Sequence, residues 1–393
     1  KLVSDNFDFA KRQMVHMLEN IPQGEAKMPH SINGKGNTSC RSIYWWTSGF
    51  FPGILWYINE YTGDKTFESF AKKWTEKLEP VKTFKGNHDI GFMMYCSFGN
   101  AYRLTQNEKY KDILIQSAYS LATRFNPQVG TIKSWDSWRS WENKHVFKYP
   151  VIIDNMMNLE LLFWASKATG DPSFRNIAIS HAEKTMKYQI RKDGSSYHLA
   201  CYDPETGNFI KGETSQGYSN ESTWSRGQGW GIYGFTLCYR ETKDPRFLKT
   251  AQRMADYYIN HPNLPSDKIP WWDFDTHRPG FIPGKFSKTN KYIQNYRDAS
   301  AASVTASALL ELSSYVKDDK KKIYTETALQ ILTSLSSPEY RAEEGKNGNF
   351  ILKHSTGAIP HGSEVDVPLI YADYYFLEAL LRYNRMINNK PIL

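Results

Sequence analysis

Apolar residues recur along the chain at intervals of three and four, and the stretches that carry them are of two kinds. The period predicts twelve helices, starting near Asp5, Trp45, Lys65, Asp89, Glu108, Ile153, Pro172, Gln228, Pro245, Asp298, Asp319 and Pro368. Those starting near Trp45, Asp89, Ile153, Gln228, Asp298 and Pro368 are apolar and aromatic nearly all round, whereas the alternate ones carry a charged face. A helix that is apolar on every side is buried on every side, so the alternation predicts six inner helices ringed by six outer ones. The expected fold is an all-α (α/α)6 barrel in a single domain, residues 1–393; a two-domain α/α solenoid is the alternative.

A degenerate repeat supports the pairing of inner with outer helices. "WYINEYTGDKTFESFAKKW" (Trp56 to Trp74), "WASKATGDPSFRNIAISHA" (Trp164 to Ala182) and "CYRETKDPRFLKTAQRMA" (Cys238 to Ala255) each run from one helix through a short polar turn into the next. The turn residues read as a helix C-cap followed at once by an N-cap. "AYRLTQNEKYKDILIQSA" and "SSYVKDDKKKIYTETALQIL" are weaker copies, and "GSSYHLACYDPETGNFI" is expected to form a hairpin on the rim.

Inner helices of such a barrel run the same way, so their N-termini share one rim. The unusual residues precede these N-termini: "SCRSIYWW", "GNHDIGF", "SWDSW", "VIIDNMMNL", "TSQGYSNESTWSRGQGW" and "HGSEVDVPLIYADYY". The turns assigned to the opposite rim, such as "TGDK" and "TKDP", are short and plain. Polar and aromatic oddities gathered at one rim mark a candidate site, and converging helix N-termini favour an anion there. Asp89 and Asp154 are the candidate acid–base pair, with capping of an inner helix as the plain alternative for each. Asp154 follows Val151, Ile152 and Ile153 and precedes Met156 and Met157, so burial should raise its pKa enough for it to donate a proton near neutral pH. Arg226 is placed to clamp a carboxylate in two places. Trp224 and Trp230 offer faces for a sugar ring, or else pack as core.

Composition narrows the function classes. The net charge of +8 is scattered among acids, and the densest basic run, "KDDKKK", is itself interrupted, so nucleic-acid binding is not expected. No apolar run is long enough to span a membrane. The four cysteines are far apart, the ten histidines are dispersed, and no H-E-x-x-H, G-x-S-x-G or P-loop occurs, so neither a metal nor another cofactor is expected. His181, alone on an outer helix, is expected to be solvated.

With these residues in view, the chain resembles the unsaturated glucuronyl hydrolases, glycoside hydrolase family 88. "NHDIGFM", "VIIDNMMNLELL", "YHLACYDPETG", "QGYSNESTWSRGQGWGIYGF" and "YADYYFLEALLR" carry the resemblance, in family order, over about residues 40 to 385. It implies an (α/α)6 barrel that hydrates the C4=C5 vinyl ether of an unsaturated uronic acid left at the non-reducing end by a polysaccharide lyase. By position Asp154 matches the general acid/base, and Asp89 the second essential carboxylate, which orients the sugar or stabilises the cation. His88, Trp135, His198, Gln216, Trp224, Arg226 and Trp230 match residues lining the sugar site. Ser215 departs from the pattern, since many relatives have His before this Gln. "HGSEVDVPLIYADYY" lacks an obvious Lys for a sulfate, which is closer to relatives acting on heparin-type fragments. An unsaturated rhamnogalacturonyl hydrolase and a non-catalytic sugar-binding barrel are the alternatives. The expected partner is an unsaturated uronyl oligosaccharide alone. The protein is expected to act as a monomer in the periplasm, since the chain does not begin with Met, with the cytoplasm as the alternative.

Overall fold

The computed structural model describes residues 1–21, 27–289 and 296–392. Six inner helices form a closed ring: α2 (Phe50–Thr62), the run of α4 (Ile90–Met94), a π-helical turn (Tyr95–Gly99) and α5 (Asn100–Thr105), α7 (Asn155–Thr169), α9 (Ser225–Thr242), α11 (Ala299–Ser313) and α13 (Ile370–Ile387). Each touches the next, and α13 touches α2. The outer ring is α1 (Leu2–Asn20), α3 (Lys65–Glu76), α6 (Glu108–Ala122), α8 (Pro172–Tyr188), α10 (Pro245–Asn260) and α12 (Asp318–Leu335). Every residue of α11 is buried, whereas α3 buries only Phe67, Ala71, Trp74 and Thr75, which recur at helical spacing.

The repeated turns are the caps that the sequence suggests. Gly63 and Gly170 end α2 and α7 in the left-handed conformation, with φ of 71° and 77°. The next residues, Asp64 and Asp171, then cap α3 and α8 by accepting from the backbone N–H of Thr66 and Ser173. Gln106–Asn107 and Lys243–Asp244 repeat the device without glycine.

Helix α2 starts at Phe50 rather than near Trp45, because the chain before it makes tight turns, Trp45 N–H to Ser42 O and Ser48 N–H to Trp45 O. Gly49, between the turns and the helix, lies against the backbone of Phe92 and Met93, where a Cβ would meet carbonyl oxygens at 2.3 Å. His181 is fully buried, correcting its expected solvation. Its Nδ1 accepts from the backbone N–H of Ile132 at 3.0 Å, and burial pushes its pKa down to about 3.

Strands occupy the loops between helices. They are the ladders β1 (Lys27–Ile32) with β2 (Thr38–Ser42), β3 (Phe125–Asn126) with β4 (Thr131–Ile132), and β5 (Trp138–Arg139) with β6 (Val146–Phe147). The expected hairpin is β8 (Leu199–Tyr202) with β9 (Phe209–Glu213), and it gains a third strand, β7 (Tyr149–Ile152), along β8. The sequence around β7 reads as the approach to a helix. Its four residues are all buried, so they show no period-2 alternation to reveal a strand.

Candidate active site

Asp89 and Asp154 occupy N-cap positions of two inner helices, α4 and α7, yet neither side chain makes a capping hydrogen bond. Asp298, at the same position of α11, does cap, its Oδ1 accepting from Ser300 N at 3.0 Å. The plain reading therefore holds for Asp298 and fails for the other two. Asn158, one turn into α7, ties the two helix starts together by accepting from Phe92 N at 2.8 Å.

The β7–β8 ladder sets Asp154 against His198. Ile152 pairs with Leu199, and the next rung is Ile153 N–H to His198 O at 2.9 Å. Asp154 thus leaves the end of one strand where His198 enters the other, and Asp154 Oδ2 stands 3.7 Å from His198 Nε2. His198 Nδ1 accepts from two backbone N–H groups, Ser215 at 3.0 Å and Gln216 at 3.3 Å. An acceptor at Nδ1 places the proton of the neutral ring on Nε2, facing Asp154. Burial, then the charge of Arg226, pushes the His198 pKa well down and keeps the ring neutral.

Burial also dominates at Asp154. Its carboxyl is pushed up to about 6, against the opposing pull of His88 and Arg226 and with a push from Asp89. His88 is completely buried; its Nδ1 lies 3.1 Å from Ser134 Oγ and its Nε2 3.1 Å from Asp89 Oδ1. That hydroxyl of Ser134 accepts from the N–H of Ile152, so one serine ties His88 to β7.

The aromatic residues take two roles. Trp135 is half-buried and turns its ring edge-on to His198 at 6.4 Å. Its strand neighbour Trp138 is held by Glu213 Oε2, which accepts from the indole N–H at 2.5 Å. Trp224 lies 4.6 Å from the His198 ring on its other side. Gln216 is half-buried beside His198. Trp230 is fully buried and packs on Phe92 and Tyr375, at 5.2 and 5.4 Å, forming a floor beneath the mouth rather than a face for a ligand. Gly234, on the same helix, admits α7, since a Cβ there would meet that of Met156 at 2.4 Å.

Arg226, expected as a clamp on a ligand carboxylate, has both Nη groups engaged by the protein. Its Nη1 donates to Thr356 O at 2.6 Å and to Asp298 Oδ2 at 3.2 Å, and its Nη2 donates to Gly357 O at 2.9 Å. The guanidinium is sandwiched between Trp224 and Tyr371, at 4.5 and 5.2 Å. The Trp-Arg pair thus holds the chain around residue 356, and Arg226 reaches the site through its charge.

That chain brings two residues to the mouth that sequence reasoning did not single out. His361 Nε2 lies 3.0 Å from Ser215 Oγ, bringing an imidazole beside this serine. Glu364 Oε1 pairs with His30 Nε2 at 2.5 Å. The signal available for both was the clustering of His361 and Glu364 in the polar segment before the last inner helix.

Among the described residues, buried polar atoms at this rim without a hydrogen-bond partner include His88 Nε2, Asp154 Oδ2, His198 Nε2, Trp224 Nε1, Arg226 Nε and Trp230 Nε1. Among the described residues, no group of three or more His, Cys, Asp or Glu side chains is placed to hold a metal ion.

The model of Glycosyl Hydrolase Family 88 matches residues 20–239. An unsaturated glucuronyl hydrolase of Formosa agariphila is 46% identical over 343 residues, 87% of this chain and 80% of that protein. An unsaturated chondroitin disaccharide hydrolase of Streptococcus pyogenes is 33% identical over 347 residues, covering 86% and 81% of the two chains. A solved unsaturated glucuronyl hydrolase specific for heparin is similar with a TM-score of 0.90 at 45% identity, covering 100% of this chain and 99% of that one. The chain belongs to glycoside hydrolase family 88.

Proposed function

We propose that this chain removes the 4,5-unsaturated uronic acid from the non-reducing end of lyase-generated glycosaminoglycan fragments, by hydrating the C4=C5 vinyl ether. The observation that carries the reading is a buried carboxyl at Asp154, raised to about 6, whose Oδ2 has no hydrogen-bond partner and stands 3.7 Å from His198 Nε2. A proton donor for carbon must be an acid at working pH and must not be spent on an internal hydrogen bond. Asp154 gives its proton to C4 and cation character develops at C5. The Asp154 carboxylate so formed takes a proton from the water that adds to C5. The resulting hemiketal opens to a keto acid and the neighbouring sugar leaves. Asp89, held beside His88, bears on the hydroxyl side of the ring. The distance rule for inverting and retaining carboxylate pairs does not govern this route, because C1 is not displaced directly.

The solved heparin-specific relative and the lack of a lysine between His361 and Tyr375 favour a heparin-type fragment over an unsulfated chondroitin one. Among the described residues, no helix is long and apolar enough to cross a membrane. We propose that the reaction takes place in the periplasm and assign it to a single chain acting alone as one barrel domain.

The test is a panel of disaccharides made by lyase digestion of heparin, chondroitin, hyaluronan and pectin. The far-ultraviolet absorbance of the C4=C5 bond should disappear fastest with the heparin product. No loss with any of the four would overturn the reaction. Fastest loss with the pectin product would reassign the chain to rhamnogalacturonyl substrates.

A further inference from the structure

A cavity of about 510 Å³ occupies the barrel lumen at the end opposite Asp89 and Asp154. It is within the usual size range of small-molecule sites. The packed rings of Phe92, Trp230 and Tyr375 lie between the two ends. Its mouth is flanked by Gln106 and Lys167, both exposed.

The walls are of two sorts. On one side Trp164 is half-buried, with Tyr102 edge-on at 5.7 Å and Tyr95 at 6.4 Å. Tyr95 and Gly99 belong to the π-helical turn, so a break in regular helix shapes this wall; such turns are frequent at functional sites. On the other side lie guanidinium–carboxylate pairs. Arg240 bonds Glu160, and donates to Glu311 at 2.9 Å and Glu241 at 3.0 Å. Arg382 stands 3.1 Å from Glu311 and 3.6 Å from Glu378, donates to Ser307 O and Tyr233 Oη, both at 2.9 Å, and is 2% exposed. Its Nε is buried without a hydrogen-bond partner.

Fold stability does not call for this arrangement. Apolar side chains of similar volume usually serve a core as well as buried ion pairs do, or better. The arrangement has a use if the lumen binds something. Its charges are paired with one another, so it offers no net attraction for an ion. It does offer carboxylate oxygens as acceptors, the side chains of Gln106 and Lys167 as donors, and an aromatic platform. That combination suits a pyranose, whose hydroxyls donate and accept and whose C–H face lies on an aromatic ring.

We propose that the far end of the lumen is a second carbohydrate site, for an uncharged monosaccharide, with Trp164 and Tyr102 as its platform and Gln106 and Lys167 at its mouth as donors. Asp89 lies two residues before Gly91, and Asp154 three before Met157, both of which line the cavity. A sugar bound there is therefore felt at the starts of α4 and α7.

The experiment titrates the full-length Asp154→Asn protein with methyl glucoside, read by saturation-transfer NMR, with glucuronate as the charged control. Saturable binding of the neutral sugar in the millimolar range, weaker for glucuronate, is expected. On this background Trp164→Leu and Tyr102→Leu should each weaken binding about tenfold, the worth of one stacking contact, while Trp135→Ala at the other rim leaves it unchanged. If Trp164→Leu loses its native circular dichroism, Tyr102→Leu decides. Binding lost with Trp135→Ala places the sugar at the other rim and overturns the proposal. So does the absence of saturation, which means a lumen holding only water. None of these readouts depends on turnover, so failure here leaves the proposed reaction standing, and the reverse.

Discussion

The six inner helices carry buried polar side chains at both ends, and the two ends treat them differently. At the N-terminal ends, Asp154 Oδ2, His88 Nε2 and His198 Nε2 lack hydrogen-bond partners among the described residues. At the C-terminal ends, Arg240 is satisfied by three carboxylates and Arg103 by Glu60, and Arg382 keeps its Nη groups bonded although its Nε has no partner there. Burial raises carboxyl pKa values at both ends, at Asp154 and at Glu160. At Glu160 the guanidinium of Arg240 is in direct contact and opposes the rise. At Asp154 the groups that oppose the rise, His88 and Arg226, make no hydrogen bond to it. Desolvation without a bonded counter-charge makes a proton donor, whereas desolvation with one makes a brace.

The sharpest way to break this contrast is Asp154→Asn. The amide keeps the shape and loses the acid, so kcat should fall by ~10²–10⁴ while substrate still binds. If the variant keeps more than about a tenth of wild-type kcat, the donor lies elsewhere and Asp89 is the next to test. In deuterium oxide the wild-type product should carry one deuterium at C4, on a single face. The pH profile follows from the same carboxyl. The protonated form is the active one, so kcat/KM should hold below about pH 6 and fall tenfold per unit above it, as Asp154 loses its proton. A fall on the acid side alone would mean that the ionised form does the work.

At the braced end the prediction is reversed. Arg240→Met strands Glu160, leaves Glu241 to Lys167 and Glu311 to Arg382, and should cost ~3–5 kcal/mol of folding stability, measured by urea unfolding. The kcat of the folded enzyme should not change. A variant with normal stability and impaired kcat would show that the C-terminal charges serve the reaction directly.

Arg226 belongs to the mouth by position and to the brace by chemistry. Arg226→Lys leaves one ammonium to satisfy Thr356 O, Gly357 O and Asp298, so it should cost ~1–3 kcal/mol in stability. KM should rise only as far as the chain around residue 356 loosens. Unchanged unfolding with a large rise in KM would restore Arg226 as a ligand clamp.

This residue also shows where sequence reading stops. Helix starts, the cap-to-cap turns and the shared rim are written in short-range patterns, and the described helices begin close to where those patterns place them. Asp89 and Asp154 could be placed at one rim for the same reason, whereas His198 is assigned to the site by the family resemblance alone. The partners of Arg226 lie 72 and 130 residues away, at Asp298 and Thr356. No local period encodes such separations, so a brace and a clamp look alike in "WSRGQGW". Strand β7 was hidden because all four of its residues are buried. The π-helical turn at Tyr95–Gly99 was hidden because one extra residue in a turn leaves an apolar run apolar.

The smallest expected effect concerns Ser215, where the chain departs from the pattern of its relatives. Its hydroxyl meets His361 Nε2 at 3.0 Å, while its backbone N–H donates to His198 Nδ1. Substitution by alanine removes the first contact and keeps the second, so the His198 tautomer and the setting of Asp154 survive. His361 is exposed as a residue but part-buried where its ring meets Ser215, and that desolvation, then the charge of Lys288, lowers its pKa. One hydrogen bond to a neutral ring is worth about 1 kcal/mol or less. Ser215→Ala should therefore raise KM by no more than about fivefold and leave both kcat and its fall above pH 6 in place. Ser215→His tests the same point from the other side, because a second imidazole would displace His361 rather than add to it, again moving KM and not kcat. A kcat that drops with either variant would mean that the hydroxyl of Ser215 acts on the reacting ring, which would draw the boundary between mouth and brace one residue further along the chain.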